Sequence, residues 1–363
     1  MSVEDEIANI EKEIRDTPYN KATSHHVGKL KAKIARLRED LQKKASAKSG
    51  GEGYGVRKSG NATVTLVGFP SVGKSTLLNR LTGANSEIGA YEFTTLDVIP
   101  GIMEHKGAAI QILDVPGLVR GAASGRGRGK EVIAVVRNSD LVVFMLDVFQ
   151  TEHFEVLKKE LYDAGIRLSQ HPPDVVIKRK DRGGITVSST LDLDISEDLI
   201  KAILDDYKIH NAHVLIRDDI DVDQLIDVIM GTRVYIPDVT VINKVDLADE
   251  NILAKVREKF PDSLLISANE GTHLEEVKDM IFNSLDFIRI YLKPQGEAAD
   301  MEEPLIIRKR STVGDVCDHL HRDFRDKFRY AQVWGESAKH PGQRAGLDHV
   351  LEDEDILTVI IQT

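Results

Sequence analysis

Gly68-Phe69-Pro70-Ser71-Val72-Gly73-Lys74-Ser75 is the stretch of this chain whose residue types and spacing are most able to do chemistry. Gly68 and Gly73 allow a backbone curl in which successive N–H groups face inward, an arrangement that binds phosphate oxygens. An apolar run (Val64, Leu66, Val67) precedes the loop, and Leu77, Leu78 and Leu81 follow at helical spacing. This is the strand, loop and helix context that a phosphate-binding loop requires. The helix beginning near Lys74 contributes its positive dipole end. Lys74 is then expected along the β- and γ-phosphates and the Ser75 hydroxyl on Mg²⁺, with Phe69, Pro70, Ser71, Val72 and Thr76 lining the same site. The competing reading is a chance match in a Gly-rich turn. The motif by itself selects a nucleoside triphosphate and no particular base.

Four later stretches bear on that choice. Tyr91-Glu-Phe-Thr-Thr-Leu places Thr94 and Thr95 about 20 positions beyond Lys74, where an oxygen can complete a Mg²⁺ shell when a γ-phosphate is present. Ala109-Ile-Gln-Ile-Leu runs as a buried strand into Asp114-Val-Pro-Gly117. Asp114 suits an outer-shell Mg²⁺ carboxylate, and the Gly117 N–H suits a γ-phosphate. Val241-Ile-Asn-Lys-Val-Asp246 is again a strand leading into a loop. A carboxylate at Asp246 can accept from N1–H and the 2-amino group of guanine, donors that adenine lacks in that arrangement. Asn243 would brace the loop, and the Lys244 stem would cover the base plane. Leu264-Leu-Ile ends in Ser267-Ala268-Asn269, whose backbone N–H groups can reach guanine O6. Each alone is an ordinary loop; their order behind successive apolar strands makes them one guanine-nucleotide site.

The elements that must position these residues follow from the pattern. Residues 60–150 alternate strand and helix, as in an open, mainly parallel sheet wound by helices, and residues 233–290 resume it. Residues 151–232 interrupt it as an inserted α+β domain. Its segment Lys178-Arg179-Lys180-Asp181-Arg182-Gly183-Gly184 reads as a basic hairpin, able to touch RNA phosphate or to stand as a solvated tip. Residues 1–50 read as a helical hairpin broken at Pro18 and Asn20, with apolar stripes Ile7, Ile10, Ile14 and Val27, Leu30, Ile34, Leu37, Leu41. Its second helix is rich in Lys and Arg, and either lies on RNA or docks with a solvated face. Residues 291–363 read as a small β-grasp of ββαβ type. Thr312 caps one helix that carries Val316, Leu320 and Phe324, and Asp315 returns the bond. Trp334 is expected in a core or interface.

With 363 residues, 41% hydrophobic, the chain is long enough for several domains. A net charge of −11 argues against a nucleic-acid coat over the whole surface. One cysteine excludes an internal disulfide and a zinc cluster, which points to a reducing compartment. No apolar signal core opens the chain and no stretch is long enough to span a bilayer, so a cytoplasmic protein without a membrane partner is expected.

The stretches GFPSVGKSTLL, YEFTTLD, DVPGLVRGAASGRGRGKEVIAV, KIHNA, RVYIP and LEDED resemble those of the developmentally regulated GTP-binding (DRG) family, a branch of the Obg-like translation-factor GTPases. The resemblance covers essentially the whole chain. It implies an α/β architecture: a Ras-like P-loop GTPase domain, an N-terminal helical hairpin, an inserted domain resembling a ribosomal-protein fold, and a C-terminal ubiquitin-like TGS domain. It also implies a GTP/GDP switch associated with ribosomes and RNA, and a regulatory partner protein. No oligomeric state is implied.

Hydrolysis of GTP to GDP and phosphate requires Mg²⁺, an in-line water and positive charge near the transferred group. Ras-type enzymes place Gln directly after the D-x-x-G glycine, whereas this chain has Leu118, so slow intrinsic turnover is expected. Lys74, Thr95, Gly117 and Arg120 are the candidate catalytic residues, with Arg126 and Arg128 as further sources of charge. Potassium is the other candidate, since related GTPases use it, although they often carry Asn where this chain has Ser71. Two other functions fit the same modules: an Obg-like ATPase, or an RNA-binding scaffold in which nucleotide is structural.

Overall fold

The computed structural model describes residues 3–18, 23–48, 58–83, 98–116 and 129–362. In chain order, the helices α1 (Val3–Asp16) and α2 (Ser24–Lys48) come first. After them come β1 (Ala62–Val67), α3 (Lys74–Thr82), β2 (Ile99–His105), β3 (Ala108–Asp114), α4 (Gly129–Arg137), β4 (Leu141–Asp147) and α5 (His153–Asp163). β5 (Ile166–Leu168), β6 (Val175–Arg179), β7 (Ile185–Ser189), α6 (Glu197–Asp206), β8 (Ala212–Ile216), α7 (Val222–Met230) and β9 (Val234–Ile236) follow. β10 (Asp238–Asn243), a 3₁₀ turn (Val245–Leu247), α8 (Glu250–Lys259), β11 (Leu264–Leu265) and α9 (Leu274–Ser284) come next. The chain closes with β12 (Phe287–Leu292), β13 (Leu305–Arg308), α10 (Val313–Leu320), α11 (Arg322–Asp326), β14 (Phe328–Trp334), β15 (Gln343–Ala345) and β16 (Ile356–Ile361). The chain divides into two compact units: Met1–Tyr54, Gly121–Lys130 and Glu160–Tyr235 in one, and Gly55–Arg120, Glu131–Lys159 and Ile236–Thr363 in the other.

The second unit holds a six-stranded sheet in the order β11-β10-β4-β1-β3-β2. All its pairings are parallel except β2 with β3. A strand covered on both faces must be apolar throughout, and β4 (Leu-Val-Val-Phe-Met-Leu-Asp) is buried from Leu141 to Leu146. β1 is equally buried although it carries two threonines. They are tolerated because Thr63 Oγ1 donates to Gln111 Oε1 at 3.0 Å and Thr65 Oγ1 bonds Ser139 Oγ. β2 and β3 form a hairpin through Lys106 and Gly107, both at positive φ (50° and 81°), the two-residue turn that matches strand twist. The carboxyl ends of β1, β3, β4 and β10 therefore lie along one edge, where a parallel sheet presents its ligand site.

The same unit includes a five-stranded sheet in the order β13-β12-β16-β14-β15. Val313, Val316 and Cys317 of α10 pack on its core with Ile290, Val333 and Leu357. The capping box forms as expected: Thr312 Oγ1 accepts from the Asp315 N–H at 3.3 Å, and Asp315 Oδ2 accepts from the Thr312 N–H at 2.7 Å. Two features of the ββαβ reading are corrected. The strands number five, because β12 and the short β15 join the sheet. The single expected helix is two, since His321 is extended (φ −168°) and its ring Nδ1 accepts from the Asp323 N–H at 3.2 Å. Phe324 therefore lies on α11, apart from Val316 and Leu320. Trp334 is half-buried, with the Lys293 ammonium 4.6 Å from its ring centre.

In the first unit, β6, β8 and β7 form a three-stranded sheet whose inner face packs on α6 and α7. β5 and β9 form a separate pair. Ser196 caps α6, and a capping box of Asp221 and Gln224 starts α7. α2 lies on this core through Ala32 and Ala35. Gly28 lets the helix approach closely there, since a Cβ at that position would come within 2.8 Å of Leu199 Cδ1 and push that side chain aside. The helical hairpin thus docks on the inserted segment.

Candidate nucleotide-binding site

The loop from Gly68 to Gly73 joins the end of β1 to the start of α3. Both glycines are required by what surrounds them: a Cβ on Gly68 would lie 2.5 Å from the Met145 carbonyl oxygen, and one on Gly73 2.5 Å from Asn243 Nδ2. Gly73 also adopts φ +101°, and Ser71, exposed at the loop apex, φ +65°. Phe69 stacks on His153 with ring centres 4.0 Å apart. Pro70 is exposed, Val72 buried and Thr76 half-buried. Lys74 is buried, and its ammonium donates to the carbonyl oxygens of Gly68 (3.2 Å) and Phe69 (3.1 Å), so it folds across its own loop. Burial lowers its pKa, with the nearby Asp114 carboxylate opposing the shift.

Asp114 ends β3, level with Leu66 of β1, and is only 6% exposed. Its carboxylate accepts a short hydrogen bond from the Ser75 hydroxyl. Burial raises its pKa, against the Ser75 bond and the Lys74 charge. A lysine, a serine hydroxyl and a carboxylate, two of them destabilised by burial, are thus gathered where β1 and β3 end. Perturbed groups of this kind mark functional sites.

Asn243, Lys244 and Asp246 occupy the loop after β10. Buried Asn243 ties three segments together: Nδ2 donates to the Val72 carbonyl oxygen and Oδ1 accepts from the Ala268 N–H, both at 2.9 Å. That bond places the Ala268 amide, proposed for guanine O6, beside the Asn243 side chain. Ser267 is buried with its hydroxyl accepting from the Glu270 N–H at 3.1 Å, and the Asn269 carbonyl oxygen accepts from Arg80 at 2.5 Å. The Asp246 carboxylate is exposed on the 3₁₀ turn. Lys244, in the left-handed conformation (φ 69°), places its ammonium 2.7 Å from Asp147 Oδ2. Asp147, which ends β4, belongs to none of the sequence motifs; its one signal in the sequence is a carboxylate closing an apolar strand. Thr94, Thr95, Gly117 and Arg120, with Leu118, Arg126 and Arg128, lie outside the described residues.

A glycine-framed loop between strand and helix, with an N-K-x-D loop two strands away on the same edge, defines a P-loop nucleotide-binding protein of the GTPase class. The comparisons agree. Residues 63–179 match the family model described as 50S ribosome-binding GTPase, residues 182–287 the C-terminal region of that domain, and residues 288–361 the TGS domain. The chain is 58% identical to an uncharacterized GTP-binding protein of Methanocaldococcus jannaschii, over 100% of this chain and 94% of that one. It is 46% identical to developmentally-regulated GTP-binding protein 2 of Homo sapiens, over 99% of this chain and 100% of that one. With developmentally-regulated G-protein 3 of Arabidopsis thaliana it shares 45% identity, over 98% and 97% respectively. The chain belongs to the developmentally regulated GTP-binding protein family and is a GTP-binding protein. Among the described residues, no helix is long and apolar enough to cross a membrane.

Proposed function

We propose that this chain hydrolyses GTP slowly and uses the GTP and GDP states as a switch in contact with ribosomes or RNA. The observation that carries this is the Lys74, Ser75 and Asp114 cluster on the same sheet edge as the Asn243-Lys-Val-Asp246 loop. Lys74 holds two loop carbonyls that a triphosphate would replace with better acceptors, so its ammonium would move to the β- and γ-phosphates. Asp246 accepts from the guanine edge, Lys244 covers the base, and Asn243 keeps the two loops in register.

The donor set fits Mg²⁺. Ser75 Oγ and the Asp114 carboxylate are adjacent oxygens that would hold the ion, the hydroxyl as a ligand and the carboxylate from the outer shell. Among the described residues, no group of three or more His, Cys, Asp or Glu is placed to hold a metal alone, as expected for an ion that leans on substrate phosphates and water. Bound there, Mg²⁺ would neutralise charge on the phosphate oxygens. Thr94, Thr95 and the Gly117 amide are proposed to sense the γ-phosphate. Leu118 has no group to orient a water, so turnover depends on a charge supplied by Arg120, a cation or a partner. An arginine finger is worth about 10³–10⁵ in rate, which makes its source the main variable. For potassium, Ser71 offers one exposed hydroxyl in place of the Asn amide of related enzymes.

The test is GTP turnover by the purified chain, with and without ribosomes, in potassium and in sodium buffer. The expected result is a low basal rate, abolished by Lys74→Ala and raised by ribosomes. A Lys74→Ala variant as active as the native chain in single-turnover assays would remove the hydrolytic reading and leave a scaffold with structural nucleotide. Equal rates in the two buffers would remove potassium. A cytoplasmic location follows from the proposed ribosomal partnership, and a regulatory partner protein from the family resemblance.

A further inference from the structure

The two basic stretches of the sequence, α2 and the β6–β7 connection, differ in the folded first unit: four of the described cations of α2 are engaged, with Lys29 exposed, whereas those of the connection stand open. On α2, Lys31 pairs with Asp223 at 2.6 Å, Lys33 with Glu6 at 2.8 Å, and Arg38 with Glu11 (2.6 Å) and Asp163 (2.7 Å). Arg36 donates to the Asp206 carbonyl oxygen at 3.2 Å. These cations are neutralised or held by the fold itself. At the β6–β7 tip, Lys178, Arg179, Lys180 and Arg182 are all exposed. Among the described residues none of the four has a carboxylate partner, and the Lys180 ammonium reaches only the Thr186 hydroxyl, at 3.2 Å. Asp181 is the one acid in the segment. The tip has open space around it, since a Cβ on Gly183 or Gly184 would meet nothing within 4 Å.

The sheet behind the tip has two unlike faces. Ile177, Val187 and Val214 point into the α6–α7 core. On the reverse, Lys178 stands opposite His213, and His213 opposite Thr186, across the three strands. Ser188 Oγ lies 3.0 Å from His213 Nε2, which keeps that ring in place. The reverse face therefore sets the Thr186 hydroxyl beside Lys178 and His213 at its cationic end, and the next row is Val176, Leu215 and Ser188.

We propose that the hairpin tip and this reverse face bind the phosphate backbone of double-helical RNA. The inference rests on the RNA partnership proposed above and assigns it a surface. Unneutralised cations on a chain of net charge −11 are complementary to phosphate, and their counterpart releases counterions on binding. β6, β7, β8 and the tip contain no Phe, Tyr or Trp, and the one ring on this face, His213, is tied to Ser188, so successive bases of a single strand have no row of rings to stack on. They also lack the Trp and Tyr that, with Arg, dominate the hot spots of protein interfaces. Hydroxyls beside cations suit the shallow groove of an A-form helix, where 2′-hydroxyls and phosphates are presented together.

The test uses the full chain with GDP bound and a fluorescent RNA duplex of about 20 base pairs, longer than the roughly 16 that a double-strand-binding module spans. The variant replaces Lys178, Arg179 and Arg182 with Ala together; an unchanged circular dichroism spectrum and melting curve show that the first unit folds, and unchanged GDP affinity shows that the second does. Its expected duplex affinity is at least tenfold weaker, and its salt slope is shallower by about 2–3, from three lost phosphate contacts. Lys33→Ala, on α2, is expected to stay within about twofold of native, because that cation already has a partner. Native affinity and slope in the triple variant would overturn the surface and leave the RNA partnership standing. No duplex binding by the native chain would overturn the surface, and no binding to duplex, single-stranded RNA or ribosomes would overturn the partnership as well. Tighter binding to single-stranded RNA of equal length, or to polyglutamate, would transfer the surface to another class of ligand and overturn the assignment.

Discussion

Lys244 and Asp147 meet at 2.7 Å across the carboxyl ends of two neighbouring parallel strands. Asp147 lies beside Asn243 in the β4–β10 register, and the left-handed backbone of Lys244 turns its side chain back toward that carboxylate. The second carboxylate oxygen is held by the Phe149 N–H at 2.9 Å. A long, flexible side chain proposed to cover a base is thus anchored before any base arrives, which lowers the entropy lost on binding.

Asp147→Asn keeps the shape and removes the charge. With Lys244 30% exposed, the pair is worth about 1 kcal/mol, so GDP affinity is expected to fall roughly fivefold, mainly through faster dissociation. Stopped-flow release of a fluorescent GDP analogue reads this directly. An unchanged release rate would mean that Asp147 has no part in positioning Lys244.

Asn243→Ala removes one side chain and leaves two groups without partners, the Val72 carbonyl and the Ala268 amide. Each buried orphan costs about 1–3 kcal/mol. Lower thermal stability is expected together with loss of GDP binding, since the two loops lose their common tie. A variant with native stability would show that the loops hold their positions independently.

Asp246→Ala separates base recognition from folding, because the carboxylate is exposed and its loss leaves the core intact. Two charge-assisted bonds at roughly 1.5–3 kcal/mol each predict a loss of about 100-fold or more in GDP affinity. ADP affinity should barely move. Competition against a fluorescent nucleotide decides the matter: a variant that still strongly prefers GDP reads the base by some other group.

Asp114→Asn bears on pH. Burial raises the Asp114 pKa above its ordinary 3.8, so the folded state holds this proton more tightly than the unfolded chain. The resulting stabilisation is complete below the unfolded pKa and is lost as pH rises through the folded one. Asn cannot ionise, so the nucleotide-free variant should melt higher than the native chain at neutral pH, with the gap closing on acidification toward pH 3.8. Mg²⁺-dependent GTP binding should weaken in the same protein. Parallel melting curves at every pH would show that Asp114 ionisation does not strain the empty site.

The chemistry of the site was readable from the chain because each part is local. A loop between two glycines, a carboxylate ending an apolar strand and an N-K-x-D run are all contained in a few consecutive residues, and strand or helix period follows from the same short windows. The Thr312–Asp315 capping box is readable for the same reason. What only the tertiary structure decided involves partners far apart in sequence. Asn243 and Val72 are 171 positions apart, and Lys244 and Asp147 are 97. No window can contain such a pair, so neither Asp147 nor the engaged Ala268 amide was visible beforehand. The basic residues show the same division most plainly. Composition placed positive charge on α2 and on the hairpin alike, but acids from distant segments neutralise Lys31 and Arg38 and leave Lys178, Arg179 and Arg182 exposed. The residue type determines the charge; the chain's path through space determines whether a counter-charge lies within reach.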